Sequence, residues 1–371
     1  MNRNRSALVL GYMLVMLLLI LDAKTAITGA KEGISLCLYT VIPSLFPLFV
    51  VSLLLNSAII GIHIPFFRHL SNLCGIPSGA ESLLVLGLLG GYPVGAQCVS
   101  QCYSERKITK NSAARMLGFC SNAGPSFIFG MCTSLFRDPA TVWYLWFIHI
   151  LSAIITGMLI PGKQRSEEVK MTSKLLTLGD ALKQTVSILA GVCSWIILFR
   201  VLICILSRWL CPLFSNDILT IFGGVLELSN GCIALRSIDD EAVRFVMMSA
   251  FLAFGGICVL MQTVTAVKSL GLGMYIPGKL LQTALSLLLS TAAAPFLFEA
   301  SSYFSTFRTV FIAASCSVLL LIFIYFILLK KDVAFVEKMR YNQKKELTRF
   351  SYAVQKKDPP FLQLLQIRHK S

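Results

Sequence analysis

The sequence predicts an all-α polytopic membrane protein made of two related halves with broken, discontinuous or re-entrant, transmembrane helices. Of its 371 residues 56% are hydrophobic and only 14% charged, whereas a water-soluble domain carries about a quarter charged residues. Uncharged, mostly apolar stretches lie at 45–62, 82–103, 116–136, 139–162, 280–298 and 309–329, each about the length a helix needs to cross a bilayer. None alternates polar and apolar residues with a period of two, which excludes a β-barrel. Glycine, proline and amide residues fall inside several stretches, where a plain spanning helix would not place them.

Residues 1–29 read as an N-terminal anchor span. Arg3 and Arg5 precede the apolar run 7–21, and the polar break Asp22-Ala23-Lys24 follows it. The run could be taken for a secretory signal, but a retained anchor fits better because nothing downstream resembles an exported soluble domain. The first half then covers 30–162. Within it, Pro43 and Pro47 stand four apart and are expected to interrupt one long helix, since proline removes a backbone donor and collides with the preceding turn. Carbonyls freed in lipid must be satisfied by protein or water.

The same reasoning applies to Gly90, Gly91, Pro93 and Gly95, followed by Gln97, and to Ser121-Asn122-Ala123-Gly124-Pro125 beyond the charged connector of Glu105, Arg106, Lys107 and Lys110. Both breaks are expected as half-helices meeting at an unwound centre. A polar loop, 163–184, separates the halves. The second half, 185–300, opens with an apolar helix carrying Arg200, continues through a break containing Glu227 and Asn230, and reaches Gly255-Gly256. Gln97 and Gln262 each stand six residues after a glycine pair, an offset consistent with internal repeats that build binding sites from discontinuous helices. The Ser-Asn-Gly elements follow the pair in one half and precede it in the other, so coincidence remains open. A final span, 301–329, and a basic tail, 330–371, complete the chain.

The net charge of +15 is unevenly placed, with eleven Lys or Arg against four Asp or Glu in the tail. By the positive-inside rule the tail and the arginine-flanked N-terminus belong in the cytoplasm, giving an even number of crossings of the cell membrane. A basic tail beside a last span is a topology signal, with the lipid bilayer and not nucleic acid as its neighbour.

Twelve cysteines sit almost all singly in apolar segments, where cysteine behaves as a small hydrophobe. Cys98 and Cys102 are four apart, with no neighbouring ligands to complete a metal site. His63, His69 and His149 likewise lack partners at ligand spacing. No metal and no cofactor is expected. Nor is an enzyme: the chain has no nucleophile elbow, phosphate loop, His-Glu-x-x-His motif or dinucleotide fingerprint.

Candidate binding residues are those whose chemistry suits a small polar solute: Gln97, Asn122, Glu227, Asn230 and Gln262. Their amides can bind hydroxyls or a base edge, or equally serve as glue between helices. Glu227 is an acid inside an apolar region, costly enough to be functional; alternatively it neutralises Arg200, which is expected to form a charge pair with it or to snorkel. Pro43, Pro47, Gly90, Gly91, Pro93, Gly95, Gly124, Pro125, Gly255 and Gly256 are read as structural, shaping the breaks. A homo-oligomer is compatible with the composition.

The run Ser44-Leu45-Phe46-Pro47-Leu48-Phe49, then Gly90-Gly91-Tyr92-Pro93-Val94-Gly95-Ala96, then Phe119 through Ile128, resembles the YlbJ-type sporulation integral membrane proteins in order and spacing. Gly224-Val225-Leu226-Glu227 and the segment from Phe254 to Gln262 extend the resemblance over roughly residues 30–300. That group carries nucleoside-recognition (Gate) domains, shared with spore-maturation membrane proteins, bacterial ferrous-iron transporters and concentrative nucleoside transporters. In the family pattern a histidine is common two residues before the glutamine, where this chain has Leu260, so no role of that histidine carries over. The resemblance implies a part in endospore formation in a Gram-positive, Firmicutes-type bacterium. It further implies a transporter-like protein for a nucleoside-like solute, or a non-transporting scaffold for cortex or coat assembly.

Overall fold

A computed structural model describes residues 3–59, 65–162, 175–267, 270–299, 301 and 304–329. The tail 330–371, residues 163–174 and His63 lie outside the described residues. Every regular element among those described is helical. Two compact units divide the chain: Met1–Leu319, which holds all that follows, and Leu320–Ser371, whose described part ends the last helix.

Among the described residues six helices are long and apolar enough to cross a membrane: Ala23–Ile59, Thr141–Leu159, Leu178–Leu210, Glu241–Val267, Tyr275–Leu297 and Phe304–Leu329. The chain is a multi-pass membrane protein. In chain order the elements are α1 (Arg3–Leu21), α2 (Ala23–Leu36), α3 (Ile42–Ile59), α4 (Pro65–Leu73), α5 (Glu81–Leu89), α6 (Val94–Ser104), α7 (Lys110–Met116), α8 (Pro125–Cys132) and α9 (Thr141–Leu159). Then come α10 (Leu178–Leu210), α11 (Asn216–Leu226), α12 (Leu228–Ala234), α13 (Glu241–Phe254), α14 (Gly256–Val267), α15 (Tyr275–Leu297) and α16 (Phe304–Leu329). The apolar stretch 82–103 is thus covered by two short helices, α5 and α6, while 116–136 holds a non-helical linker followed by α8.

One expectation needs correction. Pro43 and Pro47 do not break the helix: α3 runs through Pro47, and the irregularity precedes it as a π-helical turn, Cys37–Val41. Widening the turn keeps the Pro43 ring clear of the preceding carbonyls, and the Ser44 hydroxyl donates to Thr40 O at 2.7 Å, occupying a carbonyl of that turn. The chain turns at Asp22, so residue 30 lies inside a continuous helix, and α10 starts at Leu178 within the expected loop because the Thr177 hydroxyl caps it, accepting from Asp180 N at 3.2 Å.

The bundle has two recognisable ends. At one, Arg115 of α7 reaches the last carbonyls of α9, donating to Gly157 O at 2.7 Å and Ile160 O at 3.1 Å, and to Gly75 O at 3.2 Å and Cys74 O beyond α4. A cation there answers the negative ends of two helices. Met274 N, just before α15, donates to Ala114 O at 3.0 Å, and Ser100 of α6 donates to Val267 O, the end of α14, at 3.0 Å. At the other end, Glu241 of α13 accepts from Arg137 N, ahead of α9, at 2.8 Å, and Phe298 after α15 packs 5.4 Å from Phe245. Trp143, Tyr144 and Phe147 are exposed there, with Trp143 packed 4.5 Å from Phe129, in the manner of an interfacial aromatic belt.

These ties fix helix directions. α5–α6 starts and finishes at the Arg115 end, α11–α12 at the Trp143 end, while α7–α8 and α13–α14 run between ends in opposite senses. Alongside them α2 and α10 pack antiparallel. A β-carbon on Gly29 would stand 2.9 Å from Val201 Cα and one on Gly33 3.0 Å from Ile197 Cα, so this small-residue spacing lets the backbones touch.

Candidate functional site

The four bends between these paired helices meet. A β-carbon on Gly124, before α8, would lie 3.0 Å from Gly91 Cα in the α5–α6 bend, and one on Gly256 would lie 3.4 Å from Glu227 Cα in the α11–α12 bend. Gly255 joins the two pairs, since a β-carbon there would lie 3.3 Å from the Tyr92 hydroxyl. Gly255 and Gly256 take φ of 80° and 83°, a left-handed backbone that favours glycine. α6, α8, α12 and α14 all begin at this meeting point, so four sets of free backbone N–H groups face it.

Glu227 answers one of them. Its backbone is extended between α11 and α12, and its carboxylate accepts from Ser229 N at 2.9 Å, Asn230 N at 2.8 Å and Asn230 Nδ2 at 2.7 Å. At 2% exposure the acid is enclosed. The capping geometry explains how it is tolerated, because charge-assisted bonds to N–H groups offset lost hydration.

The expected Arg200–Glu227 pair does not form directly. Arg200 pairs with Glu32 of α2, Nη2 to Oε2 at 2.7 Å and Nε to Oε2 at 3.0 Å, and touches Glu227 only through Asn230, whose Oδ1 accepts from Arg200 Nη1. Glu32 takes the arginine because α2 lies against α10, one helix nearer. Nothing in the local sequence singles out Glu32 as that partner. Arg208 repeats the arrangement further along α10, pairing with Asp22 and donating to Thr25 Oγ1 at 2.8 Å. Between these ion pairs runs an open groove of about 580 Å³ lined by Lys24, Thr28 and Ser207 among others.

A second buried polar centre forms at the other pair of bends. Lys279 of α15, 1% exposed, donates to Gln282 Oε1 at 2.6 Å, Asn122 Oδ1 at 3.2 Å and the Tyr92 hydroxyl at 3.2 Å. Gln282 Nε2 donates to Asn122 Oδ1 at 2.9 Å and to His149 O, midway along α9, at 3.4 Å. His149 Nε2 in turn accepts from Ala123 N at 3.1 Å, holding the α7–α8 linker.

The five candidate binding residues therefore do not share one cluster. Glu227 and Asn230 bond each other, and Asn122 belongs to the Lys279 centre. Gln262 is buried on α14, its amide donating to Cys258 Sγ at 3.4 Å, while Gln97 is exposed on α6. Gly90, Gly91 and Pro93 lie in the α5–α6 bend; Gly95 is inside α6 against Cys120, and Pro125 is the first residue of α8. Sequence reasoning missed Lys279 and Gln282. The apolar stretch taken from the sequence begins at Leu280 and leaves the lysine just outside it; the Pro277-Gly278 step before it was the available signal that the helix starts earlier.

Chemically these centres offer one capped carboxylate, one ammonium and several amides, suited to hydrogen-bonding a polar solute. Among the described residues no group of three His, Cys, Asp or Glu is placed to hold a metal.

No family model matches the chain, and no solved structure matches it significantly. It is 26% identical over 282 residues to the sporulation integral membrane protein YlbJ of Bacillus subtilis (strain 168), covering 63% of this chain and 68% of the relative.

Proposed function

We propose that this chain acts in endospore formation as a transporter-like protein of the cell membrane, binding and moving a small polar, nucleoside-like solute where the four bends meet. The observation that carries this reading is that the four bends meet and hold two enclosed polar centres, Glu227 with Asn230 at one pair and Asn122 with Lys279 at the other. Irregular backbone at membrane depth is tolerated where protein or a cavity surrounds it, and helix N-termini around polar side chains are how many secondary transporters hold substrate.

The helix directions support a two-half reading with Gate-like character. α2–α3, the pair α5–α6, the pair α7–α8 and then α9 have as counterparts α10, the pair α11–α12, the pair α13–α14 and then α15, each run in the reverse sense. That is the plan of an inverted repeat. In this reading both termini are cytoplasmic, the number of crossings is even, and the chain performs no catalysis. The similarity to the Bacillus subtilis sporulation protein supports the setting.

The test is uptake of mixed nucleosides and nucleobases by proteoliposomes holding the purified protein. Depletion of one solute class, lost in Asn230→Leu, is the expected outcome; no uptake of any component counts against transport. One observation favours a second reading, a non-transporting scaffold for cortex or coat assembly: the polar groups at the centre bond one another and leave Glu227, Asn122 and Lys279 enclosed. A sporulation defect complemented by an uptake-dead variant would establish that reading instead.

A further inference from the structure

Lys279 has no carboxylate partner among the described residues, although an unpaired charge inside a span is costly. What surrounds it is oxygen. The Tyr92 hydroxyl donates to Leu252 O at 3.2 Å, leaving its oxygen to accept from the lysine. The Asn122 amide nitrogen is committed to Gly87 O at 2.9 Å and Phe119 O at 2.7 Å, which turns Oδ1 toward Nζ. The Gln282 nitrogen is likewise committed to Asn122 and His149, which turns Oε1 toward Nζ. The Tyr92 ring adds its face, with Nζ 5.1 Å from the centroid, a cation–π distance. Three acceptors call for three hydrogens, which an ammonium has and a neutral amine has not.

We propose that this is a built-in cation site: three neutral oxygens and an aromatic face form a cage for a small monovalent cation, and Lys279 fills it as a cation tethered to the chain. The cage draws on the α5–α6 bend, the α7–α8 linker and α15, so the lysine holds these elements together without a free ion. Removing its charge opens the cage to ammonium, potassium or sodium from solution. The inference stands whether or not the protein moves a solute.

Thermal unfolding of purified Lys279→Ala in chloride salts of ammonium, methylammonium, potassium and sodium, against choline chloride, tests it. A saturable rise of several degrees in the midpoint with at least one small cation is expected, because a ligand bound only by the folded state stabilises it. The same salts should leave the unsubstituted protein unmoved, and adding Gln282→Leu to Lys279→Ala should abolish the rise. Equal midpoints for Lys279→Ala in all salts, or a rise shared by the unsubstituted protein, would overturn the proposal. If Lys279→Ala cannot be purified in any salt, the exchange Lys279→Gln with Gln282→Lys, which returns one ammonium and one amide to the cage, should fold and ignore the salts. Failure of that exchange to fold also overturns it.

Discussion

Arg115 shows how one side chain can set the geometry of a bundle. Its guanidinium gathers carbonyls from the ends of α4 and α9, which otherwise end without partners in a half-buried place. Truncation leaves several acceptors unsatisfied, each costing about 1–3 kcal/mol, so Arg115→Ala should destabilise the protein by about 3 kcal/mol or more. Arg115→Lys keeps the charge but not the fork of donors, and its unfolding midpoint should fall between the two. A midpoint for Arg115→Ala within a degree of the unsubstituted protein would show that the carbonyls find other partners. At this scale the sequence was only partly legible. Glu227 announces itself as an acid amid apolar residues, whereas Lys279 and Glu32 look like boundary charges. What distinguishes those two is contact with helices distant in sequence, burial for Lys279 and an ion pair with Arg200 for Glu32, which no local pattern encodes.

Elements are set by where glycine permits contact as much as by hydropathy. On α2, Gly33 faces Ile197 Cα of α10, whereas a β-carbon on Gly191, also on α10, would meet nothing within 4 Å. The same Gly→Ala change should therefore have opposite signs at the two sites. Gly33→Ala pushes backbones apart and should cost about 1–3 kcal/mol as an overpacking change; Gly191→Ala should be neutral or stabilising by up to about 1 kcal/mol through helix propensity. Unfolding midpoints of the two variants, measured side by side, check this, and a matching drop in both would remove the close-packing argument. Four of the six apolar stretches, 45–62, 139–162, 280–298 and 309–329, fall on helices of spanning length because hydropathy and length suffice for that, whereas 82–103 and 116–136 hold only short helices. The Pro43 and Pro47 expectation failed for a local reason: a π-turn with a serine hydroxyl absorbs the proline defect without ending the helix.

For the whole molecule, the placement of basic residues predicts which end of the bundle faces which side of the membrane. The Arg115 end carries Arg106, Lys107, Lys110 and Arg115, and the sequence connecting α9 to α10 adds Lys163, Arg165, Lys170 and Lys174, while the Trp143 end carries Arg137, Arg208, Arg236 and Arg244 with Asp138, Asp239, Asp240 and Glu241 and its exposed aromatic residues. By the positive-inside rule, which counts Lys and Arg, the Arg115 end is expected in the cytoplasm and the Trp143 end outside it. Cys211, exposed at the end of α10, closes the helix whose Arg208 pairs with Asp22, so it should face the outside. With the other cysteines replaced by alanine, Cys211 should react with a membrane-impermeant maleimide in intact cells. A cysteine introduced by Lys110→Cys, in a background without Cys211, should react only after the membrane is permeabilised. This pair of measurements is independent of solute, substrate and sporulation, because it depends only on which end of the bundle the charges mark. The reverse labelling pattern would invert the whole assignment, termini included, and labelling of both positions in intact cells would mean that α10 and the α6–α7 connector reach the same side, contrary to the helix directions fixed by Arg115 and Glu241.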